Sequence, residues 1–405
     1  MKIVFIVDWH SEKMGYSDNF MPASLARLGH EVHLITTNHQ VYFNSVNKGF
    51  YKETLESFLG PGVVPVGYSF TNGVHVHRLK GIEFRKKLYP FGLIKLLRKL
   101  RPDVVQSGEF ISWQTYVSAA LKPFLKFCLF IECHTHASVF PPARGKSSFR
   151  ERIFWNLFSK TTGKYLNNVI AKSFPISTDA AEIVEKFYGI DIGKIEVRSL
   201  GVDTHLFVPA NTDHLQKERL VTRNKFGYNT GDVVCIYTGR ITREKNPLLL
   251  AQAVEILIGE GLPYRSFFLG SGPKDYSLII QNTIGAHLVD YVTTLEIPKY
   301  YQMSDIAVWP AQESTSQLDA LGCGLPLVLG SKVKVIERVE RNGLLYKEGD
   351  ASSLADALRT LQDSKVRKEM GELSRRKAEE IFSWDSIGRK YERDYSLAYE
   401  QLSSN

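Results

Sequence analysis

Arg240 and Lys245 stand close together in the stretch "YTGRITREKNP", after a strand-like run and ahead of a helix-like one. A guanidinium fork and an ammonium in that position suit a diphosphate, whose charge both can neutralise, and Gly239 lets the backbone approach closely. The competing reading is two surface cations near a helix start. Cations there oppose the helix dipole, and that cost argues for an anion held between them.

Three other stretches could carry chemistry. In "PAQESTSQLDALGCGLPLV" a polar cluster of Glu313, Ser314, Thr315, Ser316 and Asp319 leads into an apolar run. Ser and Thr favour helix starts, so one of Ser314, Thr315 or Ser316 is expected to cap a helix through Leu321, whose first N–H groups could bind an anion or a hydroxyl. Asp319, one turn in, either accepts two hydrogen bonds from a ribose diol or compensates the helix dipole. "FLGSGP", with Gly270 and Gly272, is a weak dinucleotide fingerprint, because the third glycine and the downstream acid are missing. It reads as a nucleotide-side turn or simply a tight turn. In "ECHTHASVF", His134 and His136 alternate directly after a strand, which is not a helix-face metal pair, and no third ligand is evident, so a zinc site is not expected. Their place at a strand end favours a cleft.

These residues need strand ends to hold them. "KIVFIVDW" is a short apolar run rich in β-branched residues, as in a buried parallel strand, and "NFMPASLARLGHEVHLITT" follows as a helix, a Gly29 stop and a second strand. "PDVVQSG" and "FCLFIECH" extend the same sheet. The pattern restarts after the turn-rich "RSLGVDTHLFVPANTD" with "DVVCIYTGRIT", "YRSFFLGSG", "DIAVWP" and "LPLVLGS" as strands between helical stretches. Two doubly wound α/β domains facing each other across a cleft are expected, covering 1–208 and 209–384 with a hinge near 209. A last helix, 385–405, is expected to pack back on the first domain, with Ser383 as its cap.

A chain of 405 residues suits two domains, and its 43% hydrophobic content supplies their cores. The net charge of +8 favours an anionic partner. Arg78 to Arg101 holds nine basic residues against one acid, Glu83, with Leu88, Phe91, Ile94, Leu97 and Leu100 at helix-compatible spacing. Read as a basic amphipathic helix, it would lie on an anionic membrane surface; the alternative is a solvated helix face. Nucleic acid is a poor partner, since the cations lack interleaved stacking aromatics along a strand face. Cys128, Cys133, Cys235 and Cys323 show no metal-ligand pairing and read as reduced core thiols. With no long apolar span and no signal-like start, the expected location is cytoplasmic, peripheral on the inner face of the membrane if the basic stretch binds there.

In order and spacing, these motifs resemble family 4 of the retaining nucleotide-sugar glycosyltransferases, which have the two-Rossmann-domain GT-B fold. "GYSDNFMPASLARLGHEVHLITT" is similar to that family's Gly loop, helix and strand entry, and "SLGVDTHLFVP" to its hinge turn. "GRITREKNPLLLAQA", "FLGSGP", "DALGCGLPLV", "NGLLYKEGDASSLADAL" and "FSWDSIGRKY" follow its C-terminal pattern. The resemblance implies that Arg240 and Lys245 bind the donor diphosphate and Asp319 the ribose, that Gly15 lets a loop approach the diphosphate, and that His134 approaches the transferring sugar. It also implies an acceptor-binding first domain, a donor-binding second one, a UDP or GDP type nucleotide sugar as donor, no cofactor and no metal. The acceptor would be a glycan or lipid-linked glycan in cell-surface polysaccharide synthesis. The family usually has two glutamates eight positions apart; here the second is Asp319, and eight positions earlier lies Ala311. Either Glu313 serves from a shorter loop, the reading favoured here, or the first acid is lost. Two alternatives remain, a non-catalytic partner subunit and a nucleotide-sugar epimerase.

Overall fold

The computed structural model describes residues 1–41, 51–52, 56–84, 87–137, 140–145 and 147–404. The chain divides into two compact units, Met1–Leu200 with Ile387–Asn405, and Gly201–Ser386. The division thus falls at Leu200, ahead of the expected 208. Residues 202–208 belong with the second unit because Val202 pairs with the Phe382–Trp384 backbone and Phe207 packs on Gly322.

In the first unit the strands are β1 (Lys2–Ile6), β2 (Glu31–Thr37), β3 (Gly67–Thr71), β4 (Val74–Phe84), β5 (Lys87–Phe91), β6 (Val104–Ser107), β7 (Cys128–Cys133) and β8 (Lys172–Pro175). Their order is β3-β4-β2-β1-β6-β7-β8, with β5 paired antiparallel to β4. From β4 to β8 every pairing is parallel, and β3 is an antiparallel edge. Val4, Ile6, Val105, Leu129 and Ile131 are buried, as strands covered on both faces require. The order reverses between β1 and β6, so the loops after β1, β6 and β7 open at the switch point.

The second unit repeats the arrangement with β9 (Val233–Thr238), β10 (Tyr264–Leu269), β11 (Ala286–Val289), β12 (Ile306–Trp309), β13 (Leu327–Gly330) and β14 (Gly343–Tyr346). They run β11-β10-β9-β12-β13-β14, all parallel. In the β9–β10 register Thr238 lies opposite Leu269, so the glycines that follow each strand must emerge side by side. The two-sheet, doubly wound architecture expected from the sequence is present.

The C-terminal helix Trp384–Ser403 is capped as expected, with Ser383 Oγ accepting from the Ser386 amide at 3.1 Å. Within the first unit its Tyr391 and Tyr395 rings pack on Phe174 and Phe130, and buried Asp394 pairs with Lys172 and Arg198. Burial of aromatic rings plus a charge matched on two sides fixes this helix to the first sheet.

The basic stretch Arg78–Arg101 is not one amphipathic helix. Its first part continues β4, Lys87–Phe91 forms β5, and only Leu93–Leu100 is helical. Positive φ at Gly92 breaks the chain between strand and helix. Leu88, Leu93 and Leu97 are buried, while Phe91 and Ile94 point outward from different elements. Spacing compatible with a helix was therefore shared out between a hairpin and a short helix, and the apolar face that would meet a membrane is mostly core. The four cysteines are free and buried. Among the described residues no helix is long and apolar enough to cross a membrane.

Candidate functional site

The loop after β9 packs against two glycines of the loop after β10 that nothing larger could replace. Gly270 has φ +150°, and a Cβ there would lie 1.8 Å from the Gly239 carbonyl oxygen. Gly272 abuts the Ile241 carbonyl in the same way, and the Ile241 amide donates to Ser271 O at 3.0 Å. Tyr237 OH donates to Arg240 O at 2.8 Å, which holds the loop from below. The glycines thus serve close backbone contact between two strand-end loops, where the sequence alone is compatible with either a ligand turn or a tight turn.

This loop presents Arg240, which is exposed, and Lys245, which is half-buried. Lys245 Nζ donates to the Glu313 backbone carbonyl at 2.7 Å. Burial, with the Arg240 charge beside it, lowers the Lys245 pKa, and the nearby Glu313 charge opposes that only in part. Two cations held together against their own repulsion make a local anion-attracting field.

The polar stretch from Pro310 reaches the same place. Gln312 has φ +61°, which turns the chain so that Glu313 faces back toward Lys334, whose amide donates to Glu313 Oε1 at 2.7 Å. The helix is Ser316–Gly322, and Thr315 occupies its cap position without a side-chain cap bond. The expected hydroxyl cap is therefore absent at the capping position. Thr315 already has helical φ and ψ, whereas a capping side chain needs an extended backbone to reach the N2 or N3 amide. Ser314 and Ser316 instead hydrogen-bond each other at 2.7 Å, and Arg338 donates to Ser314 O and Gln317 Oε1, both at 3.0 Å. Thr238, at the end of β9, ties the helix start to the sheet: its Oγ1 meets Tyr301 OH at 2.6 Å, and Tyr301 OH donates to Ser316 O at 3.0 Å.

Asp319 lies on this helix with no hydrogen bond or ion pair to its side chain among the described residues. Burial pushes its carboxyl up to about 7. An unpaired carboxylate so placed is costly and ready for a donor. The structure therefore gathers Gly239, Arg240, Lys245, Gly270, Gly272, Glu313, Ser314, Thr315, Ser316 and Asp319 on neighbouring loops at the carboxyl ends of β9, β10 and β12.

In the first unit Gly15 sits at φ +63° in the turn between β1 and the helix Ser17–Arg27. His134 follows β7. Its Nε2 lies 2.9 Å from Glu132 Oε2, and its amide donates to Glu109 Oε1 at 3.2 Å. Burial disfavours the His134 cation, yet the Glu132 hydrogen bond and the Glu132 and Glu109 charges outweigh it and raise the pKa. His136 turns elsewhere, to Asp179 and Ser177, each at 3.4 Å. The two histidines are not paired.

Sequence reading missed the carboxylates around His134. Asp8 ends the loop side of β1, takes a hydrogen bond from Gln114, and is pushed up to about 6 by burial, with Lys87 and Gln114 opposing. Burial likewise raises the Glu109 pKa, against the pull of His134. Glu132 also accepts from Gln106 and from Tyr391 OH. The available signal was that each acid stands at or just beyond the end of an apolar strand, where a charge has no packing reason to be. Among the described residues no group of three or more His, Cys, Asp or Glu side chains is placed to hold a metal.

Comparison with known proteins follows the same division. Residues 23–206 match the model described as Glycosyltransferase Family 4, and residues 232–364 match the one described as Glycosyl transferases group 1. Spore coat protein SA of Bacillus subtilis is 25% identical over 260 residues, 60% of this chain and 69% of that one. The D-inositol 3-phosphate glycosyltransferase of Pseudarthrobacter chlorophenolicus is 31% identical over 212 residues, 48% of each chain, so the match spans about half of that relative's length. The Anabaena HepE structure, solved with UDP and glucose, superposes with a TM-score of 0.67 at 15% identity, over 98% of this chain and 100% of that one, a likeness of fold.

Proposed function

We propose that this chain, which has the GT-B fold and matches the Glycosyltransferase Family 4 model over 23–206 and the Glycosyl transferases group 1 model over 232–364, moves a sugar from a nucleoside diphosphate donor to a glycan or lipid-linked glycan in cell-surface polysaccharide synthesis. The observation that carries this reading is the Arg240–Lys245 pair beside Glu313 and the unpaired Asp319. As the bond from the sugar to the diphosphate breaks, negative charge grows on the departing phosphate oxygen. Arg240 and Lys245 receive it, an electrostatic contribution that a preorganised site makes without reorganisation. With two cations in that role, the reading needs no metal.

Asp319 then accepts hydrogen bonds from the ribose, which supply the donors its carboxylate lacks. Glu313, fixed by the Lys334 amide, faces the donor sugar, with the Ser314, Thr315 and Ser316 hydroxyls around it. Gly15 admits the diphosphate to the loop after β1. The first unit takes the acceptor, and its His134 approaches the transferring sugar while Asp8, Glu109 and Glu132 offer acceptors to incoming hydroxyls. No side chain stands out as a covalent nucleophile, so retention occurs through an oxocarbenium-like state on the face the diphosphate leaves.

The experiment is a thermal-shift panel of nucleoside diphosphates and their sugars, followed by transfer assays with the stabilising donor. Stabilisation by a UDP or GDP sugar that vanishes in Arg240→Ala with Lys245→Ala supports the assignment; unchanged transfer in that double variant refutes it. One observation favours a second reading, a partner subunit without activity: the Glu313 carboxylate is already engaged by its own chain at Lys334. That reading requires that no nucleotide stabilise the unmodified protein.

A further inference from the structure

The helix Phe149–Phe158 starts with a complete capping box, Ser148 Oγ accepting from the Glu151 amide and Glu151 Oε2 accepting from the Ser148 amide. It is docked by one face only. Trp155 packs against Phe140 and Tyr188, and Phe158 against Tyr188, with ring centroids 5.0, 5.7 and 6.1 Å apart. The chain that follows is held as closely, since a Cβ on Gly163 would meet the Tyr188 carbonyl oxygen at 2.0 Å. This helix is therefore fixed in place.

Its other face should be polar in a protein that meets only water. Instead Phe149, Ile153 and Leu157, one turn apart on a single stripe, are 70%, 51% and 61% exposed, and Phe154 next to them is 53% exposed. By helical spacing Arg150 and Arg152 border the stripe on either side, and both are exposed, as are Lys160 and Lys164 just beyond the helix. The one acid in the helix, Glu151, is spent on the cap. A fixed apolar stripe edged with cations is chemically complementary to the surface of an anionic lipid bilayer, with the side chains among the acyl chains and the cations at the headgroups.

We infer that the outward face of Phe149–Phe158 docks the first unit on an anionic membrane surface. A second copy of the chain is a poorer occupant, because a two-fold contact would set Arg150 and Arg152 against their own copies. The assignment does not depend on the proposed transfer reaction. It also moves the membrane face away from Arg78–Arg101, whose leucines are largely core.

The test is flotation of the full chain with phosphatidylcholine vesicles, with and without phosphatidylglycerol. The intact protein is expected to float only when phosphatidylglycerol is present. Phe149→Ser with Ile153→Ser and Leu157→Ser should cut the bound fraction about tenfold, and Arg150→Glu with Arg152→Glu should do so independently. Both variants should keep the melting temperature, since every altered side chain is exposed; should the serine variant not fold, the arginine variant decides. Phe84→Ser with Phe91→Ser, on the β4–β5 hairpin, should float like the intact protein. Binding unchanged by both helix variants, loss of binding in the hairpin variant alone, or no flotation of the intact chain would each overturn the inference. So would a dimer of the intact chain that the serine variant dissociates.

Discussion

Lys245 Nζ donates to the backbone carbonyl of Glu313 at 2.7 Å, which joins the cationic loop after β9 to the polar stretch after β12. The contact sets the ammonium where a carbonyl, not a carboxylate, faces it, so its charge is left for a ligand. Lys245→Ala should lower kcat/KM for transfer by about 10- to 100-fold, the worth of one charge-assisted hydrogen bond. Arg240→Ala should do as much, and nucleotide-induced stabilisation should shrink in both.

Asp319 predicts opposite effects on stability and binding. Its folded pKa is raised to about 7 from 3.8, so the unliganded fold loses stability as pH rises from about 4 through about 7. Asp319→Asn should therefore raise the melting temperature of the free protein at neutral pH by about 2–4 °C, the size of a ~1 kcal/mol gain. The same change should weaken binding of a nucleoside diphosphate. In the unmodified protein that binding should fall up to tenfold per pH unit below about 7, because the proposed ribose contact needs the ionised carboxylate. Calorimetric titration across pH, with Asp319→Asn showing a flat profile, checks both.

Glu313→Gln keeps an oxygen to accept from the Lys334 amide, while Glu313→Ala removes it. If the carboxylate acts on the donor sugar, the glutamine variant should lose kcat by about tenfold or more with nucleotide affinity intact. Equal kcat in Glu313→Gln and the unmodified enzyme would reduce Glu313 to a loop support.

Histidines on β2 and β4 give the first unit an acid-sensitive edge. His33 Nδ1 lies 3.0 Å from His77 Nε2, and the His33 and His75 rings stack at 4.7 Å. Burial, then the neighbouring His33, His75 and Lys99 charges, lowers His77 from 6.5 to about 4, and burial lowers His33 despite Glu31. A base whose folded pKa is depressed contributes stability that is present above its unfolded pKa and lost as pH falls. Melting temperature should drop between pH 6.5 and about 4, and His77→Phe should flatten that slope.

Gly270→Ala should be among the most damaging single changes in the second unit. The added methyl would sit 1.8 Å from Gly239 O in a backbone conformation that side chains rarely adopt. A loss of about 3 kcal/mol or more is expected by denaturant titration, with the loops after β9 and β10 displaced.

Much of this was legible in one dimension. Short β-branched runs ending in turn signals marked β1, β2, β6, β7 and β9, because a strand buried on both faces has no other composition open to it. Arg240 and Lys245 stood out because cations at a helix start oppose its dipole, and Asp319 through the resemblance of its stretch to a family motif. Where local spacing served two elements equally well it misled, as between Arg78 and Arg101, where pairing of Lys87–Phe91 with β4 overrode a helical period that only Leu93–Leu100 follows.

By itself, then, the sequence determined the central buried strands of both sheets, which of their loops carry the cations and the polar stretch, and that two α/β units recur. What only the tertiary structure decided was which of those groups meet. The β9–β10 register sets Gly239 against Gly270, the turn at Gln312 sends Glu313 to Lys334, and the ends of β6 and β7 bring Glu109 and Glu132 to His134, with Asp8 from the end of β1 beside Glu109. These contacts join residues far apart in the chain, and their geometry depends on strand order and register, which no local pattern encodes.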